Sequence, residues 1–199
     1  HRVPQRCASK STAEDAPGVR FRDGVGAGVW HVLVRFGMWD VILEEPEAPE
    51  WAVINQAMRH YARGVSYANT GRIGKANEEL AAFDEVVKTF AGKELWLGNQ
   101  PAIEIMPIAR LVLEGEIAFK AGDRDRGLEL LKKAVDLEET FVYAEPAPWM
   151  MPARHAYGAL LNIEGRYKEA EAVYLRDLEI FPANGWALLG LRDSLVGQG

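Results

Sequence analysis

The chain has 199 residues, 48% of them hydrophobic, and a formal net charge of −6. That length and apolar content suit one or two domains with a buried core. Residues 1–23 hold five Lys/Arg against three Asp/Glu, so the remainder carries 18 against 26, and a body this acidic argues against nucleic-acid and anionic-membrane binding, which need basic surface.

The chain opens on His1 with no apolar signal-peptide core behind it, which reads as a fragment or processed product. No run of about 20 apolar residues follows, so a soluble setting is expected; a cytoplasmic one is favoured and the compartment stays open. Residues 1–27 mix Arg, Ser, Gly and Pro without a period and predict an irregular arm. Gly24, Gly26 and Gly28 fall short of a dinucleotide fingerprint, because Val29 stands where its third glycine belongs. A single cysteine, Cys7, excludes an internal disulfide and a cysteine-based zinc site.

From residue 28 onward one helical domain is expected. Trp30, Leu33 and Val34, then Val41 and Ile42, flank Gly37 and predict a short hairpin over about 29–45, cut off by Pro46 and Pro49. The next hairpin, 51–90, places Met58, Tyr61, Val65 and Ala68, then Ala76, Leu80, Phe83 and Val87, at helical spacing around Gly71. Residues 91–100 interrupt the pattern. Another hairpin covers 102–138 around Gly122, where Asp123 is placed to cap the second helix. A proline-rich interruption, 139–152, leads to a hairpin at 150–182 and a last, unpaired helix at 184–197.

Three glycine pairs share a separation of seven: Gly64–Gly71, Gly115–Gly122 and Gly158–Gly165. The first of each pair permits close helix approach, and the second permits a left-handed cap. Ala76, Gly127 and Ala170 supply the small residue of the second helices. With Gly158, Leu161, Gly165, Tyr167, Ala170, Tyr174 and Pro182, and the Trp186, Leu189, Gly190 start of the last helix, the chain resembles the tetratricopeptide repeat family over about 51–197. Asp177 stands where that pattern has a small residue, and Glu139 where it has its terminating proline. Stretches such as Arg59 to Gly71 also resemble the C-terminal part of larger bacterial tetratricopeptide proteins. The resemblance implies an all-α, right-handed solenoid of helical hairpins with a C-terminal capping helix and no β-sheet in its body. It implies no activity.

On that frame the concave wall is expected to carry Tyr61, Val65 and Asn69, then Val112, Glu116, Phe119 and Lys120, then His155, Ala159 and Asn162. Such a groove suits an extended peptide or helix. Trp149 with Met150, Met151 and Arg154 either anchors a partner at its entrance or plugs the gap between the second and third hairpins. Arg59, Arg110 and Arg154, with Arg63, either line an anion strip or pair with acids of neighbouring hairpins. His31, His60 and His155 lack the spacing of a metal motif, and Asp123–Ala134 lacks the final glutamate of a calcium loop. No cofactor or metal is therefore expected. The leading expectation is a non-enzymatic scaffold for a protein or peptide partner. The rival is a small-ligand or metal-dependent enzyme domain using Glu145, Arg154 and His155, and a third reading fills the groove with the 1–27 arm.

Overall fold

The computed structural model describes residues 23–24, 26–97, 100–141, 147 and 149–199. The readings placed on Cys7, Tyr143, Glu145 and most of the N-terminal arm lie outside these residues. The described chain runs through α1 (Gly28–Arg35), α2 (Trp39–Glu44), α3 (Val53–Asn69), α4 (Ile73–Lys88), α5 (Ala102–Lys120), α6 (Arg124–Glu138), α7 (Ala153–Ile163), α8 (Tyr167–Ile180) and α9 (Gly185–Gln198). The all-α class is plain from this list.

Two expectations need correction. The interruption after α4 contains a small antiparallel ladder, β1 (Trp96–Leu97) with β2 (Gln100–Pro101), pairing Trp96 with Pro101 and Leu97 with Gln100. The Ala102 N–H then donates to the Leu95 carbonyl at 2.8 Å, which ties the ladder to the start of α5. Residues 23, 24 and 26, expected to be irregular, are helical. The buried Asp23 carboxylate accepts from the N–H groups of Ile54 (2.9 Å) and Asn55 (2.8 Å). Those are orphan donors of the first turn of α3, whose own N-cap residue, Ala52, offers no side-chain acceptor. The end of the arm therefore caps a helix 30 residues away in the sense of sequence, and burial lifts the Asp23 carboxyl to about 6 despite both bonds.

Four helix ends share one construction. Gly37, Gly71, Gly122 and Gly165 have φ of 61°, 76°, 100° and 76°. In each case the glycine N–H reaches back three residues and the following N–H five, as Gly71 to Ala68 (3.2 Å) and Arg72 to Tyr67 (2.8 Å). This cap satisfies carbonyls that the helix leaves open, and a side chain there would cost about 1–2 kcal/mol. Because the chain reverses so tightly, consecutive helices lie side by side: α3 on α4, α5 on α6, α7 on α8 and α8 on α9. Successive hairpins then meet through α3 with α5 and α6 with α7. Asp123 makes no side-chain cap at α6, contrary to expectation.

The small residues set how closely these helices cross. A Cβ at Gly115 would lie 3.1 Å from the Gly127 carbonyl oxygen, and one at Gly127 would lie 2.8 Å from the Gly115 oxygen. Backbone thus meets backbone where α5 crosses α6. Gly158 lies under the ring of Tyr174 on α8. Gly64 differs, since its nearest neighbour is Leu113 of α5 in the next hairpin, not a residue of its partner helix α4. The same substitution should therefore have opposite signs at two glycines. Gly127→Ala forces backbone apart and should destabilise by about 1–3 kcal/mol. Gly74→Ala, in α4 with nothing within 4 Å, should stabilise by about 0.4–1 kcal/mol. Urea midpoints of the two variants decide this; equal stabilisation by both would rule out the close crossing.

Candidate functional site

The residues expected on one open wall have three different surroundings. Tyr61, Val65, Val112, Phe119, Trp149 and Arg154 are buried. Phe119 turns toward its own partner helix, because the space a Cβ would need at Gly127 is taken by the Phe119 Cβ and N, and Arg124 lies 5.7 Å over its ring. Asn162 faces the last helix, donating to the Gly190 carbonyl (3.0 Å) and accepting from the Ser194 hydroxyl (2.9 Å). Asn69 donates to Glu116 at 3.3 Å, and Lys120 is exposed. Burial raises the Glu116 carboxyl, against the opposing pull of Lys120 and the Asn69 bond. An open groove lined by all eleven residues is not what the chain forms.

Tyr61 is covered by α1. His31 on α1, Tyr61 on α3 and Trp149 from the loop before α7 form one buried aromatic centre. His31 meets Trp149 edge-on with centroids 4.4 Å apart, Tyr61 meets Trp149 at 5.3 Å, and His31 and Tyr61 stand 6.4 Å apart. Trp149 is thus a plug and not an exposed anchor, and what it plugs lies beneath α1. Burial, with Arg35 adding to it, holds the His31 imidazole down at about 4, so it is neutral at physiological pH. The Tyr61 phenol is pushed the other way by burial and by the nearby Glu116 carboxylate. At the entry to α1, Trp30 Nε1 donates to Asn55 Oδ1 at 2.6 Å.

A polar cluster joins α1 to the C-terminal hairpin. The fully buried Asp177 of α8 accepts at Oδ2 from Asn184 Nδ2 (2.9 Å) and from His155 Nε2 (3.1 Å). On its other side His155 Nδ1 lies 3.0 Å from Arg35 Nη2, across 120 residues of sequence. A guanidinium can only donate, so Nδ1 is the acceptor and the proton of the neutral ring sits on Nε2. Arg154 Nη2 donates to Glu139 at 2.8 Å, and Arg154 Nη1 lies 3.8 Å from Asp177 Oδ1. Arg176 also reaches Glu139, at 3.4 Å. Glu138 Oε2 accepts the Ala153 N–H at 2.8 Å, capping the start of α7. The two departures from the repeat pattern, Glu139 and Asp177, are therefore members of one cluster. That coincidence was the signal in the sequence pointing here.

Three of the four arginines, Arg63, Arg110 and Arg154, are paired with acids. Arg110 meets Asp84 of the preceding hairpin (2.9 Å) and Glu114 (2.6 Å), and Arg63 shares Glu79 with His60 at 2.6 Å each. Arg59 donates to the Glu45 carbonyl at 3.3 Å. Burial pushes the Glu79 carboxyl up, but the bonds from His60 and Arg63 outweigh it and leave it below the usual range. These side chains do not form an open anion strip. A shallow hollow of about 530 Å³ lies between α4 and the start of α5, lined by Ala81, Asp84, Glu85, Lys88 and Ile103 among others. Its charges are committed to Arg110 and to each other.

With both ring nitrogens engaged, His155 has no lone pair to offer a substrate. Among the described residues no three His, Cys, Asp or Glu side chains are grouped to hold a metal ion, and no helix is long and apolar enough to cross a membrane. Comparison of the chain with protein-family models, curated proteins and solved structures returns no match.

One carboxyl in the cluster gives a pH test. Burial lifts Glu138 to about 7 from an ordinary 4.5; the Ala153 bond and Arg154 oppose this, while Asp177 and Glu139 reinforce it. Between these values the folded chain binds more protons at Glu138 than the unfolded chain, so this group's contribution falls as pH rises from about 4.5 to about 7. Glu138→Gln keeps the acceptor for Ala153 and removes the charge. Its stability gain over wild type should be near zero at pH 4.5 and on the order of 1–3 kcal/mol at pH 8. Urea titrations at both pH values would show it. Asp23 and His31 titrate alike in both proteins and cancel, so a pH-independent difference would contradict the assignment.

Proposed function

We propose that this protein is a non-enzymatic scaffold of tetratricopeptide type, a right-handed stack of helical hairpins that binds a protein or peptide. The observation that carries the reading is an exposed apolar ridge on α1. Val29, Val32 and Phe36, 51%, 49% and 63% exposed, recur at steps of three and four on the face opposite the buried Trp30, Leu33 and Val34. The ridge continues at both ends. Met150, itself exposed, lies against Gly28, and the exposed Trp186 of α9 meets Phe36 edge-on at 5.8 Å. Arg35 lies 5.4 Å over the Trp186 ring.

A contiguous apolar strip of this kind, with Trp, Phe, Met and Arg at its end, has the composition of interface hot spots. The contact surface in this reading is the outside of α1. The concave wall serves as the seat that makes α1 rigid, which lowers the entropy lost when a partner docks. The partner's matching chemistry is an apolar face of a helix or an extended apolar peptide.

Peptides selected from a random display library on the full chain at pH 7.5 test this. Phe36→Ser combined with Trp186→Ala should weaken the selected peptides at least tenfold, about 1.4 kcal/mol. Leu175→Ala, an exposed leucine on α8, should leave affinity unchanged. Equal affinity of the selected peptides for the double variant and wild type would end this reading.

A further inference from the structure

We propose that the Arg35–His155 contact is a proton-operated clasp, which holds the C-terminal end of α1 against the α7–α9 region when His155 is neutral and releases it when the ring is protonated. The inference needs no partner, although Arg35 and Phe36 also belong to the docking ridge.

The atoms define the mechanism. In the neutral ring the Nδ1 lone pair accepts from Arg35 Nη2 at 3.0 Å, and Nε2–H donates to Asp177 Oδ2 at 3.1 Å. Asn184 Nδ2, also 3.1 Å from Nε2, is a donor facing a donor there, and its hydrogen goes to Asp177 Oδ2 at 2.9 Å. Adding a proton places it on Nδ1, the one nitrogen still bearing a lone pair. The ring then presents an N–H and a positive charge to a guanidinium at 3.0 Å. No rotation about the ring axis cures this, because a protonated imidazole has no acceptor on either nitrogen.

The groups around His155 fix the direction of the change. Asp177 from α8 is fully buried and gains an ionic partner when the ring charges. Arg35 from α1, which Asp177 also attracts from beyond the ring and which keeps the Trp186 face, is the cation that loses its acceptor on α7. Arg154 on α7 is held by Glu139 of α6, Arg176 shares that carboxylate, and Glu138 of α6 is bound to the Ala153 N–H. Asn184 and Trp186 at the start of α9 are neutral. Protonation therefore tightens α7 on α8 and loosens α7 from α1. The rest of α1 keeps its own attachments, through Trp30 to Asn55 and through Leu33 and Val34 in the core, so the release is confined to its last turn and Phe36.

The test uses the full chain and nuclear magnetic resonance between pH 7.5 and 4.5, a range in which imidazoles take up protons. Ring nitrogen shifts report the His155 tautomer and charge. Amide exchange, corrected for intrinsic rates, reports the last turn of α1. Wild type should show the Nε2–H tautomer at pH 7.5, and protection of residues 34–37 should fall about tenfold as the ring charges. Arg35→Gln removes the cation while keeping an amide that can either donate to Nδ1 or accept from it, and should abolish that fall. Three outcomes overturn the proposal: unchanged protection in wild type after His155 has gained its proton, the same fall in Arg35→Gln, or a His155 ring that stays neutral down to pH 4.5.

Discussion

A carboxyl group cut off from water has to be met by donors, and Asp177 imposes that requirement on everything near it. Its position on α8 is one where the repeat pattern has a small residue. At Oδ2 the hydrogen atoms come from Asn184, which also caps α9 by accepting the Trp186 N–H at 3.1 Å, and from His155, while Oδ1 has no hydrogen-bond partner among the described residues and faces Arg154 Nη1 at 3.8 Å. Once Nε2–H is committed to Asp177, Nδ1 is left as an acceptor facing outward from α7. Arg35 fills that vacancy, and with it α1 is drawn to the far end of the chain. The position of Trp186 follows too, since it stands in the first turn of the helix that Asn184 caps and carries on its ring the guanidinium that His155 holds. One buried acid thus sets a tautomer, a helix start and a contact across 120 residues.

The seat beneath α1 is unusual in what it leaves unpaired. His31 Nδ1, Tyr61 Oη and Trp149 Nε1 are buried with no hydrogen-bond partner among the described residues. Each such group costs on the order of 1–3 kcal/mol against its hydrated state. The rings offset part of this, since Trp149 meets His31 and Tyr61 edge to face and each such contact contributes about 0.5–1.5 kcal/mol beyond the area it buries. The remaining support comes from backbone crossings. Where Gly115 and Gly127 let α5 and α6 touch, the neighbouring side chains reach further and fill the layer with Leu113, Leu131 and Leu161. Close crossings on one side of the helices and large rings on the other are two parts of one packing solution.

The turns and helix periods were legible because they are local. A glycine at φ near 76° needs only its own backbone to specify a cap, and the spacing of Phe83 and Ala76 or Leu131 and Leu128 needs only one helix to declare a face. What covers a wall is not local. Nothing in the neighbourhood of Tyr61 announces that His31 will lie on it, and nothing around Trp149 says which gap it fills. Two marks in the sequence do point to these contacts. Asp177 and Glu139 both broke the repeat pattern, and charged residues at packing positions are tolerated only where partners converge. The α1 segment is apolar on two faces, with Trp30, Leu33 and Val34 on one and Val29, Val32 and Phe36 on the other. A helix of eight residues so built cannot be an ordinary surface helix, because one face must be covered while the other stays in water. The small ladder at Trp96–Pro101 had no such signal, since two residues per strand are too few to show alternation.

The arginines sharpen the distinction between ties that tolerate acid and one that does not. Arg63 meets Glu79, Arg110 meets Asp84 and Glu114, and Arg154 meets Glu139. Each of these joins a fixed cation to a carboxylate, and such a pair persists until the acid itself is protonated. Arg35 is different. Its direct contacts are a neutral imidazole and an indole face, with the Asp177 carboxylate attracting it from beyond the ring, so much of its hold depends on a lone pair and a ring quadrupole. A histidine at this joint between α1 and the C-terminal helices makes the contact of Arg35 with α7 depend on the ring's proton, while the Arg110 and Arg154 pairs behind it join a cation to a carboxylate.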